Sequence, residues 1–318
     1  MNSIPFFRFP LIVIQEVLST MSPFELIHLS MVSRRSQTIV KTFSKPKLRN
    51  KFKLEFRIVN NYKFSMKNER MKCEYILTSS GYNEFSVIYT DRKRFDTIQK
   101  RTENKFDEFK KICIIVLDIF ESNRKILHFD INADPNENRV IIDMLKSKSF
   151  ESCHIYDNEG NEQDLKHLLE NLEFTEKLTI FSIRHYLPME LPKHVKSLSF
   201  GNARFVTLEQ LLRLECARIS FGTTSLTNRD INMFLKSWIA LESNLNLEHL
   251  EIGLLSSSTE DVLRNIPIEI PDGIPLLPPS GVDIKRNDGM MAHIEFIRSF
   301  GGHTMKMDVG SAASDNFF

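Results

Sequence analysis

Six short strings in this chain share one pattern, an apolar residue, any residue, then Ile or Phe. They are Leu127-His128-Phe129, Cys153-His154-Ile155, Leu178-Thr179-Ile180, Leu198-Ser199-Phe200, Ile219-Ser220-Phe221 and Leu250-Glu251-Ile252, and their first positions are separated by 26, 25, 20, 21 and 31 residues. Steps of about 20 to 29 residues are those of leucine-rich repeats. Helix-period runs fall between the strings, at Arg139 to Lys146, Asp164 to Leu172, Leu208 to Leu214 and Asp230 to Leu241, the last behind Thr227 as a cap. A unit of one strand and one helix is too small to bury its own apolar face, so neighbouring units must stack. The chain is therefore expected to be mixed α/β, with a repeat domain over 101–300. The steps are unequal and no asparagine ladder marks them. An irregular leucine-rich-repeat-like solenoid is preferred, and a doubly wound α/β sheet, which shows the same alternation, stays open.

The flanks differ from the array. Lys51 to Ile58, Tyr75-Ile76-Leu77 and Phe85 to Tyr89 are short runs rich in aromatic and apolar residues, with Ser79-Ser80-Gly81-Tyr82-Asn83 between the last two. This predicts an antiparallel hairpin in a linking β element over 49–100. Phe106, Phe109, Ile112, Val116, Ile119 and Phe120 then recur at helical spacing. After Ile266, Pro267, Pro271, Pro275, Pro278 and Pro279 mark a loop or an extended edge. Asn287-Asp288-Gly289, between Val282–Arg286 and Met291–Phe296, is a hairpin signal that could cap the open end of the array. Residues 301–318 are expected to form a disordered tail.

The net charge of +1 hides an asymmetry. Residues 1–110 carry 21 Lys and Arg against 11 Asp and Glu, leaving 21 against 30 in the remainder, so the front is +10 and the back −9. The basic residues are scattered and only Arg92-Lys93-Arg94 clusters, which argues against a nucleic-acid partner. Cys73, Cys113, Cys153 and Cys216 form no Cys-x-x-Cys pair and read as buried reduced thiols. The start carries no charged leader, and no apolar run approaches the roughly 20 residues that span a bilayer. A protein without membrane association, in the cytoplasm or nucleus, is expected.

The first 45 residues read as helices with a marked joint. Pro10 suits a first helical turn, and Leu11, Ile14, Val17, Leu18 and Met21 follow at helical spacing. Ser22, Pro23 and Glu25 then form a capping-box signature, with Phe24, Ile27 and Leu29 as the next apolar side. A third run from Ser33 to Phe43 places Ile39, Val40 and Phe43 behind Arg34 and Arg35. Three such helices bury too little to stand alone.

The order Phe9-Pro10, Ile14, Val17-Leu18, Met21, Phe24-Glu25-Leu26, Leu29-Ser30, Val32-Ser33-Arg34-Arg35, Ile39 resembles the F-box, a helical module that docks on the Skp adaptor of cullin-RING ubiquitin ligases. With the long second domain, the chain resembles the F-box proteins expanded in nematodes, which carry an F-box-associated domain. Lys196-Ser197-Leu198-Ser199-Phe200, Trp238 after Phe234-Leu235-Lys236, and Leu247-Glu248-His249-Leu250 carry that second likeness, over Lys177 to Ile252. The resemblance implies an F-box over 1–48 in which Pro10, Leu11, Val17, Leu18, Leu26, Leu29 and Val32 contact the adaptor, and through it a cullin. It departs from the family at Ser36, where many F-boxes place a Trp.

No arrangement for catalysis is present: no Gly-rich phosphate loop, no His-Glu-x-x-His helix and no Gly-x-Ser-x-Gly elbow. His128 and His154, both mid-strand, lack the further ligands a zinc site needs. No catalytic, cofactor-binding or metal-binding residue is therefore assigned, and no cofactor is expected. Strand alternation instead turns His128, His154, Thr179, Ser199, Ser220 and Glu251 outward, flanked by Asp130, Tyr156, Phe181, Arg218 and His249. Strand-lined faces of this kind hold partners in solenoids. The expectation is a non-catalytic substrate receptor of a ubiquitin ligase that binds an unidentified target on this lane. An interaction scaffold without a ligase role is the alternative, and an unrecognised α/β hydrolase-like enzyme a more distant one.

Overall fold

The structure, a computed structural model, describes residues 6–48, 50–90, 93–182, 190–192, 195–269, 281–299 and 302–310. It is mixed α/β, opening with three helices and continuing into extensive sheet. The chain divides into two compact units, Met1–Glu151 and Ser152–Phe318.

In the first unit a 3-10 turn at Phe6–Arg8 leads to α1 (Leu11–Thr20), α2 (Pro23–Val32) and α3 (Arg34–Leu48). The strands β1 (Lys53–Ile58), β2 (Tyr62–Lys67), β3 (Met71–Thr78), β4 (Glu84–Thr90) and β5 (Lys93–Arg101) follow, then α4 (Lys105–Ile119), β6 (Lys125–Asp130) and α5 (Asn138–Leu145). Lateral order is β6-β1-β2-β3-β5-β4, with β1 parallel to β6 and antiparallel to β2. Phe56, Phe64, Tyr62, Phe109 and Phe129 fill its core; the Phe56 and Phe64 rings lie 5.3 Å apart, and those of Tyr62 and Phe109 4.9 Å.

The expected hairpin of 75–77 with 85–89 does not form. β5 lies between β3 and β4, parallel to the first and antiparallel to the second. The Ser79–Asn83 turn reverses the chain as its residues dictate, but a turn does not choose the pairing partner. β5, with the sequence Lys-Arg-Phe-Asp-Thr-Ile-Gln-Lys-Arg, is the strand that most resists recognition. Its Asp96 is 1% exposed and is held by Arg94 Nε at 2.6 Å, so an ion pair takes the place of an apolar run.

In the second unit β7 (Ser149–Asp157), α6 (Glu162–Asn171), β8 (Glu173–Ser182), β9 (Ser197–Ala203), α7 (Leu208–Leu212), β10 (Arg218–Thr224), α8 (Asn228–Ile239), β11 (His249–Leu254) and α9 (Thr259–Leu263) follow one another. All six sequence strings lie on strands, and the four proposed inter-strand helices are present. From β7 to β11 the spatial order equals the chain order. Parallel register aligns Leu178, Leu198, Ile219 and Leu250, and likewise Ile180, Phe200, Phe221 and Ile252, all buried. Gly201, Gly222 and Gly253 occupy the next row. A Cβ on Gly222 would meet the Gly201 carbonyl oxygen at 2.5 Å, so the strands approach there as side chains would forbid.

Asparagines tie successive strand–helix units together. Asn232 Nδ2 donates to the carbonyls of Val262 (2.7 Å) and Arg264 (2.9 Å), and Asn244 Nδ2 to those of Leu211 (3.2 Å) and Leu214 (3.0 Å). Each bridges about thirty residues, yet in sequence they form no ladder, because Asn232 lies within α8 and Asn244 beyond its end.

Four further strands, β12 (Ile268–Glu269), β13 (Gly281–Lys285), β14 (Met291–Ser299) and β15 (Gly302–Val309), complete the unit. The Asn287-Asp288-Gly289 hairpin forms, joining β13 to β14. Residues 302–309 are not a disordered tail. β15 inserts antiparallel between β11 and β14, placing Met305 and Met307 in the core. The proline-rich stretch 270–280 and residues 311–318 lie outside the described residues. Arg286 fastens the hairpin: its guanidinium lies 5.1 Å over buried Trp238 and donates to Asp288 and to the Leu245 carbonyl. All four cysteines are free and buried, and burial pushes Cys73 up to about 12 and Cys216 up to about 11.

Candidate docking sites

The helical module is built by its caps. The Ser22 N–H donates to Glu25 Oε2 at 2.6 Å and the Glu25 N–H to Ser22 Oγ at 3.3 Å, with Pro23 at the first helical position. The Ser22 amide and hydroxyl hold the Glu25 carboxyl below its usual range. Ser33 and Ser36 repeat the device at α3, each side-chain oxygen accepting the other's backbone N–H at 2.9 and 3.1 Å. Ser36 is thus a buried capping residue, occupying with a hydroxyl the place where many F-boxes have an indole. Arg35 Nη2 donates to the Phe7 carbonyl at 2.8 Å, tying the α2–α3 joint to the segment that enters α1.

One side of the module is spent internally. Ile14, Leu18, Phe24, Leu26, Ile27, Val40 and Phe43 are buried. Phe24 meets Tyr75 of β3 edge-on at 6.1 Å, and Lys41 of α3 pairs with Asp118 of α4. The other side is apolar and uncovered: Leu11 is 63% exposed and Val32 72%, with Phe9, Pro10, Ile12, Val13, Val17 and Met31 also exposed. Of the seven expected adaptor contacts, Pro10, Leu11, Val17 and Val32 lie on this surface and Leu29 is half-buried. Leu18 and Leu26, each 1% exposed, do not; Leu18, one turn after Ile14, is committed to the module's own core. Sequence reasoning passed over Ile12, Val13 and Met31. The signal was available in the unbroken Leu11-Ile12-Val13-Ile14, since a helix apolar on several sides is covered on several sides.

The outward lane divides differently. Thr179, Ser199, Ser220 and Glu251 form one in-register row across β8, β9, β10 and β11, with Lys306 of β15 opposite Glu251. Ser199, Ser220 and Glu251 are half-buried, whereas Thr179 is 5% exposed and so belongs to the packed structure rather than to an open surface. His154 and Tyr156 stack on the exposed Phe181 ring at 6.5 and 5.0 Å. His128, in the first unit, lies 3.2 Å from Glu55 on the neighbouring strand. The hydrogen bond from His128 holds the Glu55 carboxyl down at about 2 against the opposing effect of burial, with Arg57 assisting.

Among the described residues no group of three or more His, Cys, Asp or Glu is placed to hold a metal ion, and no helix is long and apolar enough to cross a membrane. Two grooves of the first unit, 750 and 590 Å³, are lined by neither His128 nor His154.

No curated protein and no solved structure matches the chain significantly. A family model described as the F-box domain matches residues 6–48, covering the three capped helices, and one described as F-box associated matches residues 187–252, covering β9, β10 and most of β11. The chain therefore combines an N-terminal F-box with an F-box-associated segment.

Proposed function

We propose that the protein is a substrate-receptor subunit of an SCF-type cullin-RING ubiquitin ligase, working in the cytoplasm or nucleus. The observation that carries the reading is the two-sidedness of the F-box: one side packs on α4 and β3, while the other leaves an apolar surface from Phe9 to Val32 with no cover among the described residues. An apolar surface of this kind on a folded module suits a partner. The partner is a Skp-family adaptor, and through it the receptor joins a cullin. The protein performs no chemistry itself; holding the target close to a recruited enzyme raises effective concentration.

The target is held by the F-box-associated region, read as a leucine-rich-repeat-like solenoid. The support is strand order. A doubly wound sheet reverses direction at a switch point, whereas β7 to β11 advance in one direction; with crossovers of one hand, that places the helices on one side and leaves the strand row for a ligand. The expected boundaries are 1–48, 49–100 and 101–300, with β15 now added to the last.

Titration calorimetry of the full chain with purified Skp adaptor tests the proposal. Binding that is lost in Leu11→Asp with Ile12→Asp supports it. Absence of binding by the unaltered chain ends the ligase reading and leaves an interaction scaffold.

A further inference from the structure

β4 is the terminal strand of its sheet, and among the described residues nothing pairs with its outer edge. Proteins blunt such edges with lysine, proline or a bulge, because unpaired backbone groups template association. β4 has none of these. Its sequence is Glu-Phe-Ser-Val-Ile-Tyr-Thr, six of its seven residues are exposed and the seventh, Ser86, is half-buried. Phe85 is 63% exposed and Tyr89 72%, with Val87 and Ile88 also open. These apolar residues occur on both faces of the strand, so no single covering layer in the first unit accounts for them.

The order of the residues points to one occupant. About Val87 the strand is close to symmetric in chemistry, with an aromatic residue two positions to either side. Antiparallel pairing of two β4 strands about that residue sets Phe85 opposite Tyr89 twice, Val87 opposite Val87, Ser86 opposite Ile88, and Glu84 opposite Thr90. Aromatic and β-branched cross-strand pairs of this kind are the stabilising ones, and no like charges face each other. Lys93 of β5 is the in-register neighbour of Thr90, so Glu84 of the second copy falls one strand beyond Thr90 on the same face as Lys93, again twice. Moving the axis to Ser86 would set Glu84 against Ile88 and lose these matches. We infer that β4 is a self-association edge, through which two copies of this chain join antiparallel about Val87. The contact is isologous, as a two-fold dimer requires. A single strand pair sits at or below the roughly 1,200 Å² low end of specific interfaces, so the dimer is reversible. This inference does not rest on the receptor reading.

Sedimentation velocity of the full chain over a rising concentration series should show a reversible monomer–dimer equilibrium. Val87→Lys sets two ammonium groups against each other on the axis and should weaken association at least about fivefold. Val87→Cys, a small change that spares the fold, tests the register. Residues opposite each other across strands lie about 4.5 to 5.5 Å apart at Cα, within reach of a disulfide. The four native thiols are buried, so oxidised Val87→Cys should give a covalent dimer where Glu84→Cys, facing Thr90, does not. A chain that stays monomeric throughout overturns the inference. So does association undiminished in Val87→Lys, equal crosslinking at both positions, or a β4 edge that binds only an extended peptide of another protein.

Discussion

The F-box face and the outward strand row are built from opposite materials. Exposed Leu11, Ile12, Val13, Val17 and Val32 do nothing for the fold of their own module, whose core is supplied by Ile14, Leu18, Leu26 and Ile27. In the row, Thr179 is buried, Ser199, Ser220 and Glu251 are half-buried, and their neighbours are already stacked or ion-paired. A surface that is apolar and unused is a cost in water unless a partner covers it, whereas a half-buried polar row is content without one. The first surface therefore calls for a cover by its residue types alone. The second carries no such signal in its residue types.

The largest expected effect separates the two sides of the F-box. Leu18→Ala should cost about 2–5 kcal/mol in chemical denaturation, while Leu11→Ala should change stability by less than about 0.5 kcal/mol. Equal costs would mean that α1 is buried on both sides and that the docking face is misassigned. Next, Leu11→Asp with Ile12→Asp should weaken adaptor binding at least about 30-fold by calorimetry with an unchanged melting temperature.

The polar network at His128 comes third. Glu55 has a folded-state pKa of about 2, below the ordinary glutamate value of 4.5, so its stabilising contribution is present above about pH 4.5 and is lost as the pH falls toward 2. Acid denaturation of Glu55→Gln should accordingly be shallower in that window; an unchanged profile would return His128 to the open surface. A smaller effect, about 1 kcal/mol, is expected for Ser36→Ala, which removes half of the α3 capping box. Last, Ser199→Arg and, in a separate variant, Ser220→Arg should each leave the melting temperature within about 2 °C while abolishing capture of a target once one is identified by crosslinking. Target binding that survives both changes moves recognition off the strand row.

Much of the fold was legible because short-range rules govern it. The six apolar-x-Ile/Phe strings sit on strands, the Thr227 and Ser22 caps open the helices they mark, and Asn287-Asp288-Gly289 turns the hairpin. The failures are failures of pairing. Nothing in residues 71–101 says that β5 slips between β3 and β4, because turn chemistry sets where a chain reverses and long-range burial sets what lies beside it. Residues 302–309 looked like a tail because Gly, His, Thr and Lys are unremarkable alone; as a strand they place Met305 and Met307 inward against β11 and β14. In the helical module Pro10, Leu11, Val17 and Val32 are exposed whereas Leu18 and Leu26 are buried, since helical spacing shows which residues share a face but not what covers that face.

By itself, then, the sequence determined the capped three-helix start, the alternation of strands and helices, and the absence of recognisable catalytic motifs, all encoded within a few residues of one another. Only the tertiary structure decided which side of the F-box is consumed by α4 and β3, that Thr179 is packed away, and that β4 is left bare at an edge. The reason is the same in each case: exposure belongs to what a residue is folded against, and that contact comes from residues tens of positions away.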